Sequence, residues 1–435
     1  MTKACIAAVV VLLLATACSE QRSDPTAGTA TTPSTPARGA CAGADLLACA
    51  RTSTLADLVP AKATTAKGAP LRLGMINQEN TPAGSFPELS QAVQAAVAFV
   101  NQQLGGVGGR PLEVEVCNTK FSAEGSTTCA QHFVEEKVPV VLGGIDVFGN
   151  GIDTLASNGI PFVGGIPVST QAVEDANSYQ WSGGTWGAMV AFADYAAKTL
   201  KAKKVAIVYG DFGPISQSAK YGEATLHKLG VTQVQLVPSP ITATDLSSPI
   251  QAAVASHPDA IVILTADTGC KGAFDSLHTL GSKATAFYVG ACAVPSIIAA
   301  AGPAKTDGAI FNVEGPIVRG APDADTQLYT KVVERYGKGL DPIGAGTVSF
   351  RSFMNLYVIL RGLGPNGVTA KGVSSGLSAQ VDQPSFMGHP YTCDRKQFTG
   401  LPAMCSPQQI LGVMRGGDLT QLGNWIDVGA VYGTG

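Results

Sequence analysis

Residues 101–118 read NQQLGGVGGRPLEVEVCN, the end of one periodic segment and the start of another with a different period. Upstream, residues 87–103 place Leu89, Val93, Ala96, Val97 and Val100 at helical spacing. Gly105, Gly106, Gly108 and Gly109 then stop the helix. Residues 111–118 alternate apolar and polar, the mark of a strand. The same change of period recurs on either side. LRLGMIN (71–77) is a short apolar strand, residues 128–137 read as helix, and VPVVLGG (138–144) as strand. A short helix at 149–158 leads into the strand IPFVGG (160–165). Strand and helix alternating with short connections predict a parallel sheet covered by helices on both faces.

The rhythm restarts at Trp186. Helices are predicted at 186–200, 215–229, 245–256, 271–280 and 294–301. They alternate with strands KKVAIVYG (203–210), 231–237, AIVILTA (260–266), ATAFYVG (284–290) and GAIFNVEG (308–315). Two α/β units therefore stand in tandem, without a repeated sequence. Two helices follow with no strand between them, at 323–336 and 347–363. Residues 380–417 are rich in Pro, Gly and Cys, and 410–428 predict a hairpin turning at Gly416-Gly417.

Composition narrows the function classes. Of 435 residues, 45% are hydrophobic and 14% charged, too apolar for a disordered chain and enough for two or three domains. A net charge of −3, from 29 basic and 32 acidic residues, excludes nucleic-acid binding driven by bulk charge. The five His show no metal-ligand spacing, so no metal or other cofactor is expected. The first 17 residues, MTKACIAAVVVLLLATA, have one early Lys and an apolar run at 6–14 that is too short to cross a bilayer. They read as a signal peptide. Ala15, Thr16 and Ala17 before Cys18 resemble a bacterial lipobox, which predicts lipidation of Cys18; ordinary cleavage beside an incidental Cys is the alternative. Residues 18–69 are then a flexible tether with a small Cys41/Cys49 loop, since SEQRSDPTAGTATTPSTPARG (19–39) has no apolar period. Eight further Cys fall in consecutive pairs 8, 12, 22 and 12 residues apart. Nearest-neighbour disulfides are expected (Cys41–Cys49, Cys117–Cys129, Cys270–Cys292, Cys393–Cys405), with buried free thiols as the alternative.

Taken in order, LRLGMIN, the 101–118 turn, VPVVLGG, IPFVGG and VAIVYGDFG (205–213) resemble the type I periplasmic binding proteins of branched-chain amino-acid ABC importers, the leucine-binding-protein-like family, here in lipoprotein form. The resemblance covers about residues 71–428. It implies two Rossmann-like α/β lobes with parallel sheets flanked by helices, hinged by three crossing strands. Lobe 1 would be 70–185 plus 316–380, lobe 2 would be 186–315 plus 381–435, and the crossings would fall near 182–186, 313–316 and 381–387. The implied function is capture of a small organic solute outside the cytoplasm, without chemistry, and its delivery to an ABC permease. The protein would be a monomer, exported and held by lipid at the outer face of the cell membrane. A ligand-sensing subunit of the same fold, acting on a signalling partner, is the other reading.

Open parallel sheets bind ligands beyond the carboxyl ends of their strands. That rule selects Gln78, Asp146, Val147, Phe148, Ile166 and Pro167 in the first lobe. In the second it selects Asp211, Phe212, Asp267, Thr268 and Cys292, with Trp186 at the first crossing. The resemblance implies a hydroxyl and backbone N–H groups at 143–149 for a ligand carboxylate, and an acid after the strand at 287–290 for its ammonium. Ile145, Asp146 and Val147 stand at the first place, Ala291 and Cys292 at the second. An amino-acid ligand is therefore disfavoured, and an amide or another small organic solute is admitted. Asp146 would bind a cation or donor, or cap the helix near Gly149. Phe148, Phe212 and Trp186 would be cleft walls or core residues. Asp267 would replace the missing acid or form a turn. A Cys270–Cys292 bond would staple the rim. Gly372-Val373-Ser374-Ser375-Gly376 fits a nucleophile-elbow pattern but lies within a helix-like stretch without a preceding strand, so no enzyme is expected.

Overall fold

The computed structural model describes residues 41, 45–81, 83–314 and 323–433. The signal segment 1–17, Cys18 and the tether up to residue 40 lie outside the described residues, as does the stretch just after the second crossing. The first lobe is built on five parallel strands in the order β2-β1-β3-β4-β5. These are β1 (Leu71–Asn77), β2 (Leu112–Asn118), β3 (Val141–Gly143), β4 (Phe162–Val163) and β5 (Ser178–Tyr179). Helix Pro87–Gln103 buries the apolar stripe read from the sequence and packs against helix Gly346–Gly367, which returns from far along the chain. The glycine turn after it is required: Gly106 has φ +64°, and a Cβ there would stand 2.0 Å from the Arg110 carbonyl oxygen.

The second lobe holds seven strands in the order β12-β11-β10-β9-β8-β6-β7. They are β6 (Lys204–Gly210), β7 (Gln233–Ser239), β8 (Ala260–Leu264), β9 (Thr285–Tyr288), β10 (Ile310–Val313), β11 (Gln409–Arg415) and β12 (Asp418–Ile426). The five from β6 to β10 run parallel, and β11 and β12 add an antiparallel hairpin to the β10 edge. Every residue of β8, AIVIL, is buried, as a central strand covered on both faces must be.

Four disulfides join nearest neighbours: Cys41–Cys49, Cys117–Cys129, Cys270–Cys292 and Cys393–Cys405. Opening the Cys393–Cys405 loop with the double Ala variant is expected to cost about 2–3 kcal/mol in urea unfolding.

Two expectations change. Residues 45–69 are not a tether. Helix Leu46–Ala50 buries Leu46, Leu47, Cys49 and Ala50 against helix Ala324–Tyr336, and Thr54 donates from its N–H (2.8 Å) and hydroxyl (3.0 Å) to Asp325. The three leucines at 46, 47 and 55 supply the apolar surface that anchors this stretch. The third crossing also falls later than 381–387. Phe386 N–H donates to Asn355 Oδ1 (2.9 Å) and Met387 N–H to Asp325 Oδ2 (3.0 Å), so residues 381–393 stay with the first lobe. Phe398 then meets Tyr432 of the second lobe at 5.2 Å, Cys405 N–H returns to Gln180 O (2.7 Å), and the chain joins β11 only at Gln409. Buried Phe386, Met387 and Tyr391, which follow no period, hold this belt in place.

Candidate ligand-binding cleft

The carboxyl ends of the two sheets face one another, and between them lies a cavity of about 540 Å³. Phe121, Val147 and Ile166 line it from the first lobe, Phe212, Ile241 and Val289 from the second. Phe121 and Phe148 meet Phe212 across the gap at ring distances of 5.9 and 5.1 Å. Thr170 Oγ1 donates to Gln217 Oε1 across the same gap (3.0 Å). The lobes are thus shut upon each other.

The floor of the cleft is a buried polar hub at the crossings. Glu314, just after β10, accepts from Gly184 N–H (2.9 Å) at the first crossing and from Gln409 Nε2 (3.0 Å) at the third. Its other oxygen faces Arg351 Nη2 at 3.4 Å, on the long helix of the first lobe. The same Nη2 donates to Trp181 O (2.9 Å). One carboxylate therefore joins all three crossings to one lobe. Burial pushes the Arg351 guanidinium below its ordinary value, and Glu314 opposes that shift.

Val147, Ile166 and Phe212 line the cavity, and Phe148 completes the aromatic cluster beside it. Other candidates do different work. Gln78 is buried and donates to Ala83 O (3.1 Å) and Gly84 O (3.2 Å), shaping its own loop. Asp146 accepts from Ser126 Oγ (2.6 Å) and Phe148 N–H (3.2 Å), which fastens the 145–149 loop to helix Ala123–Glu135. Burial pushes its carboxyl up, against those hydrogen bonds. The Pro167 carbonyl abuts Gly184 rather than the cavity. Asp211 is exposed and accepts from Ser216 Oγ (3.2 Å). Asp267 and Thr268 begin helix Asp267–Thr279, while the preceding Thr265 and Ala266 provide the lining. Cys292 is buried in its disulfide. Trp186 is a core residue and not a cleft wall. Helix Gly184–Asp194 is buried almost all round, so the indole turns inward and meets Tyr221 edge-on at 5.0 Å. Phe121 was missed; it sits at φ +51° after a strand end, where side-chain direction has no periodic signal.

Glu88 opens helix Pro87–Gln103, close to Asp267 of the other lobe and to Glu79. Burial first, then these two carboxylates, push it up to about 7, opposed by a backbone hydrogen bond. The folded state then holds a proton that the unfolded chain has released. Stability contributed by protonated Glu88 is present below its ordinary value of 4.5 and is lost as pH rises to about 7. Urea unfolding between those limits should lose up to about 3 kcal/mol from this group, and Glu88→Gln should remove that part of the slope.

The family described as periplasmic binding protein matches residues 70–400. The chain belongs to the periplasmic binding proteins. No curated protein matches it by sequence. Among solved structures, a leucine-binding protein from Thermotoga maritima is 16% identical, with a TM-score of 0.67 over 82% of this chain and 98% of that one. A possible leucine/isoleucine/valine-binding protein from Rhodopirellula baltica is 11% identical, with a TM-score of 0.71 over 84% and 98%. A solute binding protein of an ABC transporter from Rhodopseudomonas palustris, in complex with p-hydroxybenzoic acid, is 18% identical, with a TM-score of 0.69 over 84% and 99%. At these identities the likeness is one of fold. In the present periplasmic binding protein the cleft is walled mainly by Ile, Val, Ala and Phe.

Proposed function

We propose that this protein captures a small organic molecule between its lobes, outside the cytoplasm, and delivers it to an ABC importer. The observation that carries this reading is the apolar cavity of about 540 Å³ shut between two sets of strand-end loops. A cavity of that size lies in the range that encloses drug-sized ligands. Closure requires only contacts made to both lobes at once, and no bond is formed or broken. The Glu314 hub keeps the crossings together while the lobes part around them. The Rhodopseudomonas neighbour, which holds an aromatic acid, supports the capacity of this fold for a ring-bearing guest. Val147, Ile166 and Phe212 are the proposed ligand contacts, with Phe148 supporting them.

Lipidation at Cys18 would keep the binding protein, as a monomer, beside its permease, with residues 19–39 as the spacer. Cys18→Ala is expected to move the protein from the membrane fraction to the soluble fraction; unchanged membrane retention contradicts the anchor. Native mass spectrometry of protein isolated gently from its own cells tests capture itself. One small-molecule adduct per chain is expected. A bare chain, together with no thermal shift in a screen of amino acids, amides, aromatic acids and short peptides, contradicts the reading.

A further inference from the structure

We propose that the captured solute is uncharged and rich in hydrocarbon, an alcohol, ketone or similar neutral compound and not an amino acid or a carboxylate. This rests on the binding-protein reading and names its ligand class. Among the described residues the cavity lining contains Glu314 and Asp418 but no Lys, Arg or His. A carboxylate guest would find no cation there. An ammonium guest would find Glu314 already held by Arg351, Gly184 N–H and Gln409 Nε2, and Asp418 exposed at the hairpin end and itself engaged. The Glu314 carboxylate and the guanidinium neutralise each other, so the floor offers no spare charge.

Three neutral polar side chains of the lining, Thr185, Asn312 and Thr347, are also engaged. Thr185 and Ser218 share a hydrogen bond of 2.8 Å. Asn312 accepts from Gly290 N–H (2.7 Å) and donates to Gln409 Oε1 (3.2 Å). Thr347 donates to Gly344 O (2.9 Å). An anion entering this space would give up its hydration and meet no cation in the lining, a large cost in a closed apolar site. A hydrocarbon skeleton gains from both lobes: Val147 and Ile166 on one side, Phe212, Ile215 and Ile241 on the other. The apolar lining continues to Met414 and Leu419 on the β11–β12 hairpin, which leaves room for more than a single amino-acid side chain. Where the resemblance called for a carboxylate and an ammonium contact, Val147 and Ala291 now line the cavity.

The test is calorimetry with one skeleton carrying different heads: 1-adamantanol, 1-adamantanecarboxylate and 1-adamantylammonium, with leucine as a fourth probe. The alcohol is expected to bind at least about tenfold more tightly than either ion, and leucine not to saturate. Val147→Lys places a cation in the cleft at a half-buried position and should shift the ratio toward the carboxylate by at least about tenfold. Ile166→Lys serves the same purpose should the first variant fail to fold. If the carboxylate, the ammonium or leucine binds the native protein as tightly as the alcohol, the ligand class is overturned. The binding-protein reading survives in that case, because a ligand has still been captured. If no probe binds, the class is overturned as well, and the reading is then judged by lobe motion alone.

Discussion

Glu314→Ala should destabilise the protein by about 3–5 kcal/mol, read as a lower urea midpoint. The size follows from what remains behind. Arg351 is nearly inaccessible, with 4% of its side chain exposed, and its guanidinium faces Glu314 at 3.4 Å. Without that carboxylate it keeps, among the described residues, the Trp181 carbonyl alone. Gly184 N–H and Gln409 Nε2 lose an acceptor at the same time. Removing one member of a buried pair costs far more than removing both. Glu314→Ala combined with Arg351→Met should therefore recover most of the loss. A single variant within about 0.5 kcal/mol of the native protein would show that the hub contributes little.

Gly184→Ala should be the next most damaging change. Gly184 has φ +54°, a conformation that costs an ordinary residue about 1–2 kcal/mol. The new Cβ would also stand 2.0 Å from the Pro167 carbonyl oxygen, which is backbone and cannot swing aside. The first crossing must then shift, and with it the N–H that Glu314 accepts. Lower stability and a weaker closed state are expected together, from unfolding curves and from the affinity of a bound probe. A variant with native affinity and native midpoint would mean that the lobes close without this contact.

Much of the fold was legible because it is local. The all-apolar β8 and the stripe from Leu89 to Val100 announce themselves by period, and the glycine turn at 105–109 by composition. The hub was not legible. Glu314 reaches partners 130, 95 and 37 residues away, and nothing near it in the chain signals them. The third crossing lies later than 381–387, and the sequence does not show this because the buried residues of the belt at 381–408 follow no period. Leu46, Leu47 and Leu55 follow a polar stretch whose character was extended over them, though they pack as firmly as core. In the cleft, Val147, Ile166 and Phe212 were found by the strand-end rule, which points to loops. That rule does not tell a loop's wall from its internal fastenings, so Asp146 and Gln78 were gathered with them. Of its two readings Trp186 takes the core one, and its helix, apolar on nearly every face, carries no period that tells them apart.

Lobe closure about a guest is tested most directly by spin labels at Thr170 and Gln217, which share a 3.0 Å hydrogen bond across the cleft. Introduced as Thr170→Cys and Gln217→Cys and measured by pulsed electron resonance, the ligand-free protein should show a broad distribution with a long-distance component. A bound solute should collapse it to a single short distance. One narrow short distance, unchanged between the ligand-free protein and protein saturated with each probe, would contradict the hinged pair of lobes.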